Sequence, residues 1–289
     1  MRILASPQWS FGRDRALLRE FEEILTLFRL DIHYLQSNHD HNRTVSTFSG
    51  EAVSVFEAME RLCVAALPRI DLQRHTGVFP RIGALDVVPF VALGDVAPQV
   101  LHRYIDQLSW TLADFYQVPV FLYERSERPR PEDDLARMRK GGFGMLLGRT
   151  LAPDFGPQVA HPHLGVVVLG WRDPVLTLNI NLSTEDAGVA RALASQMRHL
   201  RSEGDERFLG VHGLAMALPS QEQSQLHLNL TLPDLTPVDP VVEWVRVEAS
   251  RYGAVLAGVH LVGAIRSRDL SGATRVRIRP EQLVDVALS

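Results

Sequence analysis

The spacing of hydrophobic residues alternates between a helical and an extended period along the chain, which predicts a series of helices and strands. Apolar residues three and four positions apart predict helices over residues 13–30, 53–67, 100–115, 184–200 and 240–252. Short apolar or alternating stretches predict strands at residues 1–5, 31–36, 44–48, 84–93, 118–123, 166–169, 175–182, 210–218, 226–232 and 254–265. Ser49, Ser183 or Thr184, and Asp239 are the expected helix caps.

Residues 175–265 have the clearest pattern, with the predicted order strand, helix, strand, strand, helix, strand. This is the order of a ferredoxin-like unit, and the first half of the chain fits it with one extra helix and strand. The fold class is therefore α/β (α+β), with two ferredoxin-like-type subdomains expected at residues 1–170 and 171–289. Two such subdomains predict a ligand cleft between them.

The composition is that of a folded protein, with 46% hydrophobic and 22% charged residues. A net charge of −4 argues against a nucleic-acid partner, which usually requires a basic face. The apolar run Leu164–Trp171 is far shorter than the ~20 residues of a membrane helix, and residues 1–10 lack the apolar region of a signal peptide. We expect a cytoplasmic protein with no membrane partner. Cys63 is the single cysteine, which excludes an intrachain disulfide and fits a core position.

Four histidines occur as His-x-His pairs, His39 with His41 and His161 with His163. Histidines at this spacing can ligate a metal, which makes a metal-dependent hydrolase one alternative. Polar loop tips account for the same residues without a metal. Because the pairs lie far apart in the sequence with no cysteine support, we expect no bound metal.

Three further stretches have polar and backbone-special residues in unusual density. Residues 75–86 combine Arg81 and Asp86 with two glycines and a proline, which indicates either a ligand-binding loop or an ion pair that pins the loop. Residues 153–165 form a rigid loop rich in proline and glycine, either a ligand loop or a connector. Asn179 and Asn181 share one face of an apolar strand, where their amides must bind a ligand or other side chains.

These stretches, in this order, resemble the glutamate formiminotransferase family, including the transferase half of formiminotransferase–cyclodeaminase. The matching pieces, in chain order, are Asn42-Arg43-Thr44-Val45 with Thr47-Phe48, Pro80-Arg81-x-Gly83-Ala84-Leu85-Asp86-Val87-x-Pro89-Phe90, Val118-Pro119-Val120-x-Leu122-Tyr123, Pro153-Asp154-Phe155-Gly156-Pro157, Asn179-Ile180-Asn181-Leu182 and Leu261-Val262-Gly263. The second piece, which begins at Pro80, and the fourth, which begins at Pro153, are the most specific.

The resemblance implies transfer of a formimino group from N-formiminoglutamate to tetrahydrofolate, which is a co-substrate, in a homodimer that takes part in histidine degradation and one-carbon metabolism. It also implies that the loop from Gly156 to Gly165 contacts folate. The residues expected to bind folate or the glutamate derivative are Asn42, Arg43, Arg81, Asp86, Gly156, Pro157, Gln158, His161, Pro162, His163, Gly165, Asn179 and Asn181.

The chain departs from the family pattern at the position of the family's catalytic histidine, which precedes the Pro-Arg pair. Phe79 stands there, and a phenyl ring can neither accept nor donate a proton. The family's acidic residues upstream of Asn42 are also replaced, by Tyr34-Leu35-Gln36. His75 is the nearest candidate for a substitute catalytic residue. Two hypotheses follow: a one-carbon transfer enzyme, or a catalytically silent homologue that binds folate or has a regulatory role.

Overall fold

A computed structural model describes residues 1–94, 96–129, 138 and 141–285. The described residues form two compact units, residues 1–172 (unit 1) and residues 173–285 (unit 2). Each unit has its own buried hydrophobic core. The mixed α/β class expected from the sequence is confirmed. The boundary at Gly170 and the ligand cleft stay predictions.

Unit 1 is built on one mixed sheet. Within the described residues its strands are β1 (Arg2–Ala5), β2 (Gln8–Trp9), β3 (Asp31–Asn38), β4 (Arg43–Glu51), β5 (Leu85–Ala92), β6 (Val120–Leu122) and β7 (Val167–Trp171). β1 and β2 both pair with β4 on one side and β5 on the other, so they act as one interrupted strand. β3 pairs with the outer edge of β4. β7 lies between β5 and β6 and is parallel to both.

The helices of unit 1 pack their apolar stripes into its core. The described helices are α1 (Arg15–Leu27), α2 (Ala52–Ala66) and α3 (Pro98–Trp110), the last continuing as a π-helical turn over Thr111–Phe115. α1 begins after Asp14 because this carboxylate accepts the amides of Ala16 and Leu17 at 3.0 and 2.9 Å. Cys63 on α2 is 1% exposed, the core position expected for it. No helix in the described part of the chain has the length and hydropathy needed to cross a membrane.

The start of α2 corrects the sequence prediction, because Ser49 is not its cap. β4 continues to Glu51, where it still pairs with Arg2 of β1, and the helix begins only at Ala52. Ser49 lies inside the strand, and its buried hydroxyl is 2.8 Å from Nε2 of His33. Pairing with β1 therefore keeps β4 extended beyond Ser49, the residue at which local propensity predicts the start of a helix.

Unit 2 has the order predicted for it, β8–α4–β9–β10–α5–β11. Its strands lie in the order β11–β8–β10–β9 with every neighbouring pair antiparallel. The elements are β8 (Leu176–Leu182), α4 (Ala187–Ser202), β9 (Val211–Leu218), β10 (Gln223–Leu230), α5 (Val238–Arg251) and β11 (Leu256–Val262), followed by the short parallel pair β12 (Ile265–Arg266) and β13 (Leu283–Val284).

Both predicted caps of unit 2 are wrong. α4 is capped by Asp186, whose carboxylate accepts the amide of Gly188 at 2.7 Å, and not by Ser183 or Thr184. Asp239 lies in the first turn of α5 instead of capping it, and its carboxylate accepts the amides of Thr274 and Arg275 at 3.0 Å each. Asp186 thus caps through a residue two positions along the chain, whereas Asp239 binds residues 35 and 36 positions away.

Candidate active site

Strand β2 positions a buried ion pair in the sheet of unit 1. Trp9 pairs with Thr44 of β4 on one side and with Leu85 of β5 on the other. The adjacent residues Arg43 and Asp86 therefore meet, with Arg43 Nη2 2.8 Å from Asp86 Oδ2. Their side chains are only 5% and 3% exposed. Each charge is stable in this position because the other compensates it.

Asp86 also fixes the loop that precedes β5. Its Oδ1 accepts the backbone amides of Ile82 and Gly83 at 2.8 and 3.2 Å. Gly83 has no space for a side chain, since a Cβ there would lie 2.0 Å from the carbonyl oxygen of Val166. Asp86 pins this loop through the two amides, but its ion-pair partner is Arg43 and not the Arg81 that the sequence suggested.

The guanidinium of Arg81 is half-buried among neutral acceptors. Its Nε donates to the carbonyl of Phe79 and its Nη2 to the carbonyl of His41, both at 3.1 Å. Its Nη1 contacts Nδ1 of His75. Burial, and then the nearby Arg43, lower the pKa of Arg81 to about 10. Arg81 keeps its proton at neutral pH, so the loop carries an excess of positive charge.

His75 is held on both ring nitrogens. Nδ1 contacts Arg81, and Nε2 is 2.9 Å from the carbonyl oxygen of Asn42. Burial, followed by the charge of Arg81, lowers the pKa of His75 to about 4. At neutral pH the ring is therefore neutral, with Nε2–H donating to Asn42 and Nδ1 accepting from Arg81. These contacts favour a role for His75 in positioning Arg81; its role as a substitute base stays a prediction.

Asn42 joins three segments at the β3–β4 turn. Its Oδ1 accepts the amide of Gly12 at 2.8 Å and its Nδ2 donates to the carbonyl of Thr76 at 3.0 Å. Arg13, next to Gly12, donates to the Thr76 hydroxyl at 3.1 Å. Gly77 must lack a side chain, because a Cβ would lie 2.3 Å from the carbonyl oxygen of His41. The loop after His75 is thus fastened to the turn that carries Arg43.

The loop from Gly156 to Gly165 runs alongside the same segment. Gly156 and Gly165 have φ of 90° and 73°, which glycine adopts without strain. Gly165 forms a bridge with Gly83 and a two-way backbone hydrogen bond of 2.9 Å with His161. Pro157 is half-buried and Gln158 is exposed. The Pro162 carbonyl accepts the side chain of Gln73 at 3.0 Å, so the loop is attached to residues just before His75.

The structure places Asn179 and Asn181 on β8 of unit 2, where both bind side chains of β10. Asn179 Oδ1 is 2.8 Å from Nδ1 of His227. Asn181 Oδ1 accepts from Gln225 at 2.7 Å, and its Nδ2 donates to Gln223 at 3.0 Å. The two amides belong to a polar ladder on one face of the sheet of unit 2.

Comparison with known proteins identifies the family of the chain. Residues 2–172 match the family model described as the formiminotransferase domain, N-terminal subdomain. The chain belongs to the formiminotransferase family. Over 91% of its length it is 32% identical to a glutamate formimidoyltransferase of Streptococcus pyogenes serotype M1 and 31% identical to one of Thermoplasma acidophilum, covering 89% and 88% of those proteins. It is 30% identical to a formimidoyltransferase-cyclodeaminase of Sus scrofa, of which it covers 52%.

In this formiminotransferase-family chain, Phe79 covers the buried arginine. The Arg43 guanidinium lies 4.3 Å from the centroid of the Phe79 ring, and the His41 ring lies 5.3 Å from it. A cation over an aromatic face is a stabilising contact. The position at which the resemblance implies a catalytic histidine is thus occupied by a group that contributes packing and no proton transfer.

Sequence reasoning missed three residues that this family member uses to hold the site together. Gln8 accepts a hydrogen bond from Arg43, Asp71 binds His163, and Thr76 contacts both Arg13 and Asn42. Thr76 lies in the stretch 75–86 and the other two lie outside the stretches singled out, but no partner could be predicted for any of the three, because each partner is distant in the sequence.

The two His-x-His pairs lie at the β3–β4 turn and on the loop before Gly165. Within residues 1–94, 96–129, 138 and 141–285, no three His, Cys, Asp or Glu side chains are grouped as a metal ion requires. The hydrolase alternative has no ligand set among these residues.

Proposed function

We propose that this chain transfers a formimino group from N-formiminoglutamate to tetrahydrofolate, as the names of its relatives suggest. The observation that carries the proposal is the excess positive charge around Arg81. Arg43 and Arg81 are buried or half-buried and Arg13 lies beside the same loop, while the Asp86 carboxylate pairs with Arg43. The proposal includes a cytoplasmic homodimer that acts in one-carbon metabolism and histidine degradation.

The half-buried Arg81 favours a ligand with a carboxylate. A half-buried guanidinium with neutral acceptors is poorly compensated, and a carboxylate that binds it gains a strong, charge-assisted hydrogen bond. Guanidinium groups match the planar geometry of carboxylates. Both co-substrates of formimino transfer have glutamate carboxylates. We assign the carboxylates of N-formiminoglutamate to Arg81 and its surroundings, and the folate to the loop from Gly156 to Gly165.

The second candidate is a silent homologue that binds folate without turnover, and the observation that favours it is Phe79. The two candidates share ligand binding and differ in catalysis. Ligand binding and turnover therefore have to be measured separately on the same preparation.

Ligand binding is expected to raise the melting temperature of the chain. A ligand that binds only the folded state adds about 2.7 kcal/mol at one hundred times its dissociation constant, which corresponds to about 5–10 °C. The measurement is a thermal melt with tetrahydrofolate, with N-formiminoglutamate and with both. The Arg81→Gln variant should lose most of the shift caused by N-formiminoglutamate.

Arg251→Gln is the matched control, since Arg251 is an exposed arginine on α5 that pairs with Glu248. It should keep the full shift. If neither ligand moves the melting temperature at millimolar concentration, the transferase and the silent-homologue proposals are both wrong. Ligand shifts without formation of 5-formiminotetrahydrofolate would support the silent homologue.

A further inference from the structure

Two histidines on the loop before Gly165 are held in different tautomers by their hydrogen bonds. Nδ1 of His161 accepts two backbone amides, those of His163 at 3.1 Å and Leu164 at 3.0 Å. The proton of the neutral ring must therefore be on Nε2. Burial, and then the neighbouring His163, lower the pKa of His161. His161 is thus a neutral ring that presents an N–H.

His163 is oriented the other way by a carboxylate. Its Nδ1 lies 3.0 Å from Oδ1 of Asp71, and the hydrogen bond to His163 is the main cause of a lowered pKa of Asp71. An ionised carboxylate only accepts, so Nδ1 carries the proton and the lone pair is on Nε2. The side chain of His163 is 50% exposed, which leaves it accessible to a ligand. A carboxylate that orients an imidazole in this way is the arrangement of a general base.

The backbone around the pair is fixed on both sides. The His163 carbonyl accepts the amide of Leu72 at 2.9 Å, next to Asp71, and His161 and Gly165 form a two-way hydrogen bond. Gly165 in turn bridges to Gly83, in the turn that Asp86 holds. The two rings, with centroids 6.2 Å apart, are therefore positioned by the same framework as the arginine cluster.

We propose that His163 is the general base of formimino transfer in this chain, with Asp71 as its positioning residue and His161 as a hydrogen-bond donor to the reacting amidine. The inference rests on the proposed function and adds the group that moves the proton where Phe79 cannot. Two imidazoles in different environments supply an acceptor and a donor at the same pH, as a reaction with opposite proton transfers requires.

The chemistry balances with one proton carrier. N5 of tetrahydrofolate attacks the formimino carbon, the N5–C bond forms, the C=N π electrons move to the imino nitrogen, and the N5 proton passes to Nε2 of His163. The C=N bond then re-forms, the bond from carbon to the glutamate nitrogen breaks with its electron pair on nitrogen, and His163 returns the proton there. The products are 5-formiminotetrahydrofolate and glutamate, and His163 is regenerated. His161 Nε2–H stabilises the charge that builds up on the imino nitrogen.

The pH profile is a readout that a merely structural role of His163 would not change, because a base acts through a free lone pair on Nε2. The titratable and charged groups facing His163 are Asp71, Arg74, which is 3.6 Å from Asp71, and His161. The hydrogen bond from His163 lowers the pKa of Asp71, so this carboxylate keeps its charge near neutral pH.

The test compares His163→Gln with the wild type under saturating tetrahydrofolate and N-formiminoglutamate. Glutamine retains an N–H for Asp71 but has no basic nitrogen. We expect kcat to fall about 10²–10⁴-fold with KM nearly unchanged, and the dependence of the rate on pH to change. Free imidazole should restore part of the rate to His163→Ala. Asp71→Asn should lower kcat about 10-fold or more, because an amide no longer fixes the tautomer.

His199 and Glu203 provide the matched control, an exposed histidine–carboxylate pair 3.3 Å apart on α4. His199→Gln and Glu203→Gln should leave kcat and the pH profile unchanged. A His163→Gln variant within twofold of the wild-type rate overturns the proposal, as does a wild type that binds both ligands without turnover. Loss of ligand-induced thermal shifts in the wild type is a different result, because it removes the proposed function itself.

Discussion

Replacing Asp86 by asparagine should destabilise unit 1 by about 3–5 kcal/mol, because it removes the carboxylate 2.8 Å from the buried Arg43 charge. The asparagine oxygen can still accept the amides of Ile82 and Gly83. The substitution therefore removes the negative charge of residue 86 and leaves its hydrogen bonds to the turn in place. The measurement is urea denaturation at neutral pH followed by tryptophan fluorescence, in which the fully buried Trp9 reports on the same sheet.

Asp31→Asn is the comparison that separates burial from charge. Asp31 also pairs with an arginine, Arg2, but the two side chains are 60% and 52% exposed. Exposed ion pairs contribute about 0–1 kcal/mol to stability, so the urea concentration at the midpoint of unfolding should hardly change. Equal losses of stability in the two variants would show that burial is not the reason why the Arg43–Asp86 pair stabilises unit 1.

Replacing Phe79 by histidine should raise the rate of formimino transfer by at most about 10-fold, because it adds a second proton acceptor, beside the proposed His163, at the position that the family resemblance assigns to catalysis. The positive charge of Arg43, 4.3 Å from the present ring, would disfavour the imidazolium and keep the new histidine neutral. The gain should be partial, since the chain has Tyr34, Leu35 and Gln36 where the family resemblance implies acidic residues that would orient the new histidine. Turnover measured across pH 5 to 9 checks this.

The sharper version places Phe79→His in the His163→Gln background. If both residues can move the same proton, the second substitution should recover much of the rate that the first removed. Phe79→Leu is the control, since it removes the ring and adds no base. An equal gain in Phe79→Leu would mean that space, and not proton transfer, had limited the reaction.

The fold of unit 2 could be predicted because its elements follow one another with clear periods and pair mostly with near neighbours. Unit 1 could be predicted only in part. The residues of β7 form a short apolar stretch that indicates a strand, but nothing in them indicates insertion between β5 and β6. That placement depends on pairing between segments about 80 residues apart, which local pattern does not encode.

The candidate site, like unit 1, could be predicted only in part. Arg43, Arg81 and Asp86 were visible as charged residues beside apolar strands, yet the partner of Asp86 was not. The pairing with Arg43 follows from the register of β4 and β5 on either side of Trp9, where a shift of one residue would turn each side chain to the opposite face. The contact of Asp71 with His163 could not be predicted for a related reason, since the two residues are 92 positions apart in the sequence.

The position of β7 has a consequence for synthesis of the protein on the ribosome. Until residue 171 has emerged, the side of β5 that pairs with β7 in the folded sheet lacks this partner strand, and β6 lacks it too. A nascent chain therefore carries an open, apolar strand edge while about 80 further residues are being translated, and such edges recruit other chains. Chaperone binding to ribosome-bound intermediates should be concentrated in this interval and end when β7 closes the sheet.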